Sequence, residues 1–178
     1  MGTWEELDIE INTTVDTADI DDIIGRLEAE TGLIGEAFEP AVSLLSGLKK
    51  DVETGSEKGT EELADRARSL QELYIAMNGS IAKGQLINSI DKTYVGENHY
   101  LVGTIIEHFY PLCIEKGRGA VRPVRAKALH YFTLDGVEVF SQYSSPTEPK
   151  PYVEPAYENV LNEVEDTIWR AIADATNG

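Results

Sequence analysis

Three histidines and one cysteine are the side chains in this sequence best suited to metal binding or nucleophilic catalysis. His99, His108 and His130 stand in separate segments, without the H-x3-H or C-x2-C spacing that would aim two ligands at one ion, so they read as structural residues. Cys113 has His108 upstream as the conceivable partner of a Cys–His nucleophile, but a lone cysteine is far more often a buried, inert thiol. Gly117 and Gly119 are not followed by the Lys-Ser or Lys-Thr pair of a phosphate-cradling loop. Carboxylates are so numerous that most must be solvated surface, and no pair stands out as acid and base. The residues therefore predict no enzyme, no cofactor, no metal and no small-molecule substrate.

What does stand out is charge. The chain of 178 residues has 32 acidic against 15 basic side chains, a formal net charge of -17. Such an excess repels free nucleic acid and makes the folded state repel itself, a penalty that salt screens, since the Debye length falls to roughly 3 Å at 1 M. The acids are spread along the chain, and a halophilic source is the expectation. Thermal melts should rise from dilute buffer to molar KCl, and a flat response would reject it. Against this background Lys116, Arg118, Arg122, Arg125 and Lys127 gather a third of all basic residues in a dozen positions. They read either as a contact loop for an acidic subunit or for DNA in a channel, or as neutralisation of the chain's own carboxylates.

The elements that would position these residues follow from periodicity. Length and composition fit a single domain over 1–178. Residues 1–59 read as an N-terminal arm with helices. Trp4, Leu7, Ile9 and Ile11 alternate as a short strand or an extended arm; Ile20, Ile23, Ile24 and Leu27 form a helical stripe behind Asp19, Asp21 and Asp22. Helical spacing continues from Leu33 to Leu48, with Pro40 either kinking that helix or starting a new one. The stretch 54–60 (TGSEKGT) predicts a loop, after which Leu63, Ala67, Leu70, Tyr74 and Met77 mark a new helix with Glu62 placed to pair with Arg66.

Residues 60–178 form the expected core. Strands are predicted over 88–94 and 99–107, joined by a turn containing Gly96 and Asn98. A second hairpin, 126–134 with 137–144, flanks Asp135-Gly136, the dipeptide of a two-residue turn; that register sets Leu134 against Val137, Phe132 against Val139 and Tyr131 against Phe140. One side of this ribbon is expected to meet helices and the other a further subunit. Four prolines make 145–155 an extended loop, and a last helix opens with Pro155 at its first position and Val160, Leu161, Val164, Ile168 and Ile172 as its stripe. The fold class is thus α+β, a small antiparallel sheet of two hairpins packed with N-terminal and C-terminal helices. The unpaired Cys113 points to a reducing compartment. No leader is visible, and no apolar run approaches the about 20 residues that span a bilayer.

Four segments of this core resemble the tail-component family of long-tailed, siphovirus-type viruses, which includes neck, tail-completion and minor tail proteins. GQLINSI places Gly84, Leu86 and Ser89 on the family's entry to its first strand. YPLCIEKGRG places Tyr110, Glu115 and Gly117 on its Tyr-x4-Glu-x-Gly segment, and VRPVRAKALHYF is similar to its basic strand. PKPYVEPAYENV matches the opening of its last helix, with Tyr152 in place of the usual Phe and Pro155-Ala156 intact. The resemblance implies a virion protein of the head–tail junction, assembled in the host cytoplasm as a homo-oligomeric ring, with neck and tail proteins, packaged DNA or a tape-measure protein as neighbours. A haloarchaeal tailed virus would suit the charge. A tail terminator, or a cytosolic binding module unrelated to virions, are the alternatives. In the leading reading Pro149, Pro151, Tyr152 and Pro155 form a docking arm and the basic loop supplies charge complementarity.

Overall fold

The structure is a computed structural model that describes residues 7–34, 38–79, 84–106, 109–132 and 137–177. Its elements are β1 (Ile9–Asn12), α1 (Ala18–Ile34), α2 (Glu39–Met77), β2 (Ile90–Gly96), β3 (His99–Thr104), α3 (Phe109–Lys116), β4 (Leu129–Phe132), β5 (Glu138–Ser141) and α4 (Val153–Thr176). The class is α+β as expected; the described residues form four helices, a three-stranded antiparallel sheet ordered β1-β3-β2 and a separate β4-β5 ribbon. No described helix is long and apolar enough to cross a membrane.

The chain divides into two compact units. The first comprises Met1–Glu10, Asp65–Thr93 and Leu101–Leu161; the second comprises Ile11–Ala64, Tyr94–Tyr100 and Asn162–Gly178. The boundary drawn from sequence at residue 59 falls inside α2.

In the first unit Leu7, Ile9, Ala67, Leu70, Ile75, Leu86, Val102, Tyr152 and Val160 are buried together with Gln71, whose Nε2 donates to the Val102 carbonyl at 3.1 Å. The strand expected from Asn88 starts instead at Ile90, because Ile87–Ser89 is a tight 3-10 turn. The Ser89 hydroxyl donates to the Leu86 carbonyl at 2.7 Å and lies 2.7 Å from the Thr104 hydroxyl. At Gly103 a Cβ would come within 2.9 Å of the Leu7 carbonyl, so only glycine lets this part of β3 pass.

The second unit corrects one sequence expectation. Residues 54–60 are not a loop: α2 runs through them without a break. Gly55, Ser56, Gly59 and Thr60 repeat small side chains at helical spacing, and all four are buried. A Cβ at Gly55 would lie 2.5 Å from Ile172 Cα, and one at Gly59 would lie 2.8 Å from Ile168 Cδ1. The glycines let the C-terminal half of α4 approach closely, and packing outweighs their poor helix propensity. The Thr60 hydroxyl donates to the Ser56 carbonyl at 2.7 Å and also shares a hydrogen bond with Thr13. Pro40 stands in the first turn of α2, where its missing N–H is harmless, so it starts a helix rather than kinking one. Lys49 bridges to Asp21 of α1 at 2.7 Å, and Glu62 takes Arg170 at 2.5 Å.

These glycines make a paired prediction. Gly55→Ala should destabilise by about 1–3 kcal/mol, because the facing atom is backbone. Gly47→Ala, in the same helix with nothing within 4 Å, should stabilise by about 0.5–1 kcal/mol. Urea midpoints at equal m-value decide both; two effects of the same sign would refute the close-approach account.

Candidate interaction surface

The described residues hold no group of three or more His, Cys, Asp or Glu side chains that could bind a metal. His108, the conceivable partner of Cys113, lies outside them, as do Asp135 and Gly136 of the expected turn. Burial pushes the Cys113 thiol pKa up, with the nearby Arg118 charge opposing, which is the direction away from a nucleophilic thiolate. His130 is held on the ribbon, its Nε2 2.8 Å from Glu138 Oε1 and its ring stacked on Phe140 with centroids 4.7 Å apart.

Chemistry of another kind collects on the segment between α3 and α4. After Lys116, Gly117 adopts φ 73° and turns the chain, the left-handed conformation that commonly ends a helix. A Cβ there would strike the Thr147 carbonyl at 2.7 Å, so glycine is needed twice over. The outgoing and returning strands then pair: Arg118 and Thr147 exchange backbone hydrogen bonds at 2.9 and 2.8 Å, and Val121 and Ser144 at 3.0 and 2.9 Å. Farther out, β4 pairs β5 antiparallel.

The register of that hairpin is one residue off the expectation. Phe132 faces Glu138, Tyr131 faces Val139 and His130 faces Phe140. Phe132 paired with Glu138 leaves an odd number of residues between them, which a two-residue turn cannot supply. Consequently Phe140 stacks on a histidine instead of lying opposite Tyr131.

The ribbon keeps much apolar surface in solvent. Val124 is 93% exposed, Phe140 66% and Val137 58%, with Tyr131 and Tyr143 also open. Val139, on the opposite side of β5 from Phe140, is half-buried. The same stretch of chain carries the five cations, with no Asp or Glu between Glu115 and Asp135; the acid on β5, Glu138, is engaged by His130. Not all five cations are equally available. The Arg118 guanidinium donates to Ser144 Oγ at 2.7 Å and to the Ser145 carbonyl at 3.3 Å, so it braces the base of the ribbon. Arg122 sits 5.9 Å over the Tyr143 ring. Lys116, Arg125 and Lys127 are exposed, while the Lys127 carbonyl accepts a hydrogen bond from Gln142.

The proline-rich docking arm is corrected. Its backbone is strapped to its own unit: Lys150 N–H donates to the Ile114 carbonyl at 2.8 Å, Lys150 Nζ to the Asn78 carbonyl at 2.9 Å, and Asn78 Nδ2 to the Pro151 carbonyl at 2.9 Å. Pro149 and Pro151 remain exposed, but Tyr152 is fully buried and cannot present its ring to a partner. Pro155 is the third residue of α4 rather than its first.

Residues singled out by the viral resemblance meet here. The buried Glu115 carboxylate accepts the N–H groups of Tyr152 at 2.7 Å, Val153 at 3.1 Å and Glu154 at 3.2 Å. These are the donors that the start of α4 leaves unpaired, and Pro155, next in line, has none to offer. Tyr110, Glu115 and Asp8 each push the Tyr152 phenol pKa up, after burial as the main cause. Leu86 and Ser89 are buried and Gly84 takes φ 67° in the turn before them. These residues therefore serve the fold of the first unit, and the exposed surface is carried by the ribbon between them. No family model, curated protein or solved structure matches this chain.

A second surface feature belongs to the second unit. An open groove of about 590 Å³ runs between residues 12–16 and the α4 side chains Val164, Glu165, Ile168, Trp169 and Ile172. Its lining is mainly apolar, Trp169 is 62% exposed, and its charged members, Asp16 and Glu165, are both acidic. The sequence reading missed it, because residues 12–16 carry no periodicity and Trp169 lies beside the stripe assigned to the last helix.

Proposed function

We propose that this chain is a non-enzymatic structural protein of a tailed virus, a neck or tail-completion component that joins or finishes the tail through protein–protein contacts. The observation that carries the reading is the ribbon of 118–147, which holds apolar and basic side chains in solvent while its base is fixed by paired backbone and by Arg118. Within the monomer Phe140 gains only its stack on His130 and stays largely in water with Val137, whereas an interface gains both area and charge complementarity. The ordered resemblance of the segments at 84–90, 110–119 and 149–160 is what favours the head–tail junction for that interface.

Deleting the gene from the viral genome tests the reading. Electron microscopy should then show heads and tails that fail to join or finish, and mass spectrometry should find the chain in wild-type particles. Intact particles without the gene would overturn it. Phe140→Asp should reproduce the assembly defect with a melting temperature close to wild type, because this side chain is largely in solvent.

A further inference from the structure

Resting on the assembly reading, we propose that the partner of the basic ribbon is a second copy of this chain, and that it docks in the acidic groove of the second unit.

Charge decides between the available contacts. The region 116–147 carries five cations against two carboxylates, Asp135 and Glu138, while the remainder of the chain has the other 10 basic and 30 acidic residues, a balance of 10 − 30 = −20. Two ribbons meeting each other would oppose Arg125 and Lys127 with their own kind. Two grooves meeting would oppose Glu165 and Asp16 likewise. Like charges facing across an interface are costly, so of these pairings only ribbon-to-groove is attractive. Shape and polarity agree. The groove is open and presents the apolar side chains Val164, Ile168, Trp169 and Ile172 along α4. The ribbon offers Val124, Val137 and Phe140 in solvent, and the exposed Arg125 and Lys127 of the same stretch of chain can meet Asp16 and Glu165 of the groove.

Such a contact joins one surface to a different one. It leaves each copy with an unused ribbon or groove, so it propagates into a closed ring or an open filament rather than stopping at a two-fold dimer. It should also weaken with added salt.

Charge reversal on each side, in the full-length chain, tests the pairing. Arg125→Glu alters the ribbon and Glu165→Arg the groove; both positions are exposed, and melting temperature checks that each variant folds. Sedimentation is run at the lowest KCl concentration at which wild type is fully folded, at chain concentrations on the order of 10 µM and above. Wild type should self-associate, and each variant alone should associate at least tenfold more weakly. An equimolar mixture should recover association, because the acidic ribbon of one variant then meets the basic groove of the other. A monomeric wild type, unaffected single variants, or a mixture that fails to recover would each overturn the proposal. A monomeric wild type that is nevertheless required for particle assembly would overturn this contact alone. Association that follows the predicted pattern in a chain absent from particles would uphold the contact and sink the viral reading.

Discussion

Glu115→Ala should cost about 3–5 kcal/mol of stability, enough to unfold a domain of ordinary marginal stability or bring it close to unfolding. The carboxylate is 4% exposed and takes three backbone N–H groups at the start of α4. An alanine leaves all three donors at a helix end without their acceptor, and each buried orphan donor costs about 1–3 kcal/mol before any relaxation. It also removes a negative charge from the positive end of a 24-residue helix. Glu115→Gln keeps one carbonyl oxygen as acceptor and loses the charge, so its cost should be roughly half. Urea denaturation of the three proteins checks the order. Equal stability of Glu115→Ala and wild type would mean that the cap is idle, and with it the account of why Glu115 and the Tyr152 segment occur together.

That cap shows where sequence reading stopped. Glu115 and Tyr152 are 37 positions apart, and nothing in helical or strand periodicity links a glutamate at the end of one helix to the N-terminus of another. Local rules supplied Pro155 as the start of α4, whereas the cap comes from a distant side chain and moves the first turn back to Val153. The broad class was legible because the strands at Ile90–Gly96 and His99–Thr104 and the stripe of Leu63, Ala67 and Leu70 follow their periods. The same stripe fails at Met77, which is 70% exposed, while Gln71 and Ile75 are buried in its stead. A straight helix of 3.6 residues per turn drifts away from a seven-residue repeat, and α2 is long enough for the drift to matter. Leu161 is exposed for a related reason: Ala156, Val160, Thr167 and Ala171 define the buried face of α4, and small residues were undervalued in reading it. Undervalued small residues also hid the helix through Gly55 and Gly59. Of the candidate surface, the basic cluster was legible from composition alone. Its bracing by Arg118 and the burial of Tyr152 required long-range pairing that a linear reading does not contain.

Tyr152→Ala should destabilise the protein by about 3–5 kcal/mol, the cost of removing a fully buried aromatic side chain from a packed core. Had the ring been an exposed anchor on a docking arm, the same substitution would leave the melt untouched and abolish assembly only. Thermal or urea unfolding therefore separates the two roles directly. Tyr152→Phe gives the sharper measurement. The phenolic oxygen has no hydrogen-bond partner among the described residues, so its removal should be neutral or stabilising by about 1 kcal/mol. Ionisation adds a second signature. Burial first, then the neighbouring Glu115, Asp8 and Tyr110, hold the Tyr152 pKa above its ordinary value in the folded state. Between the ordinary tyrosine pKa of about 10 and the raised folded value, the unfolded chain has lost a proton that the folded chain keeps. The unfolded state then binds fewer protons, so stability falls as pH rises, by up to about 1.4 kcal/mol per pH unit from this residue. Below pH of about 10 the phenol is neutral in both states and contributes no pH dependence. Wild type should accordingly lose stability above that pH more steeply than Tyr152→Phe, and parallel alkaline unfolding curves for the two proteins would show that the phenol is not held neutral by the fold.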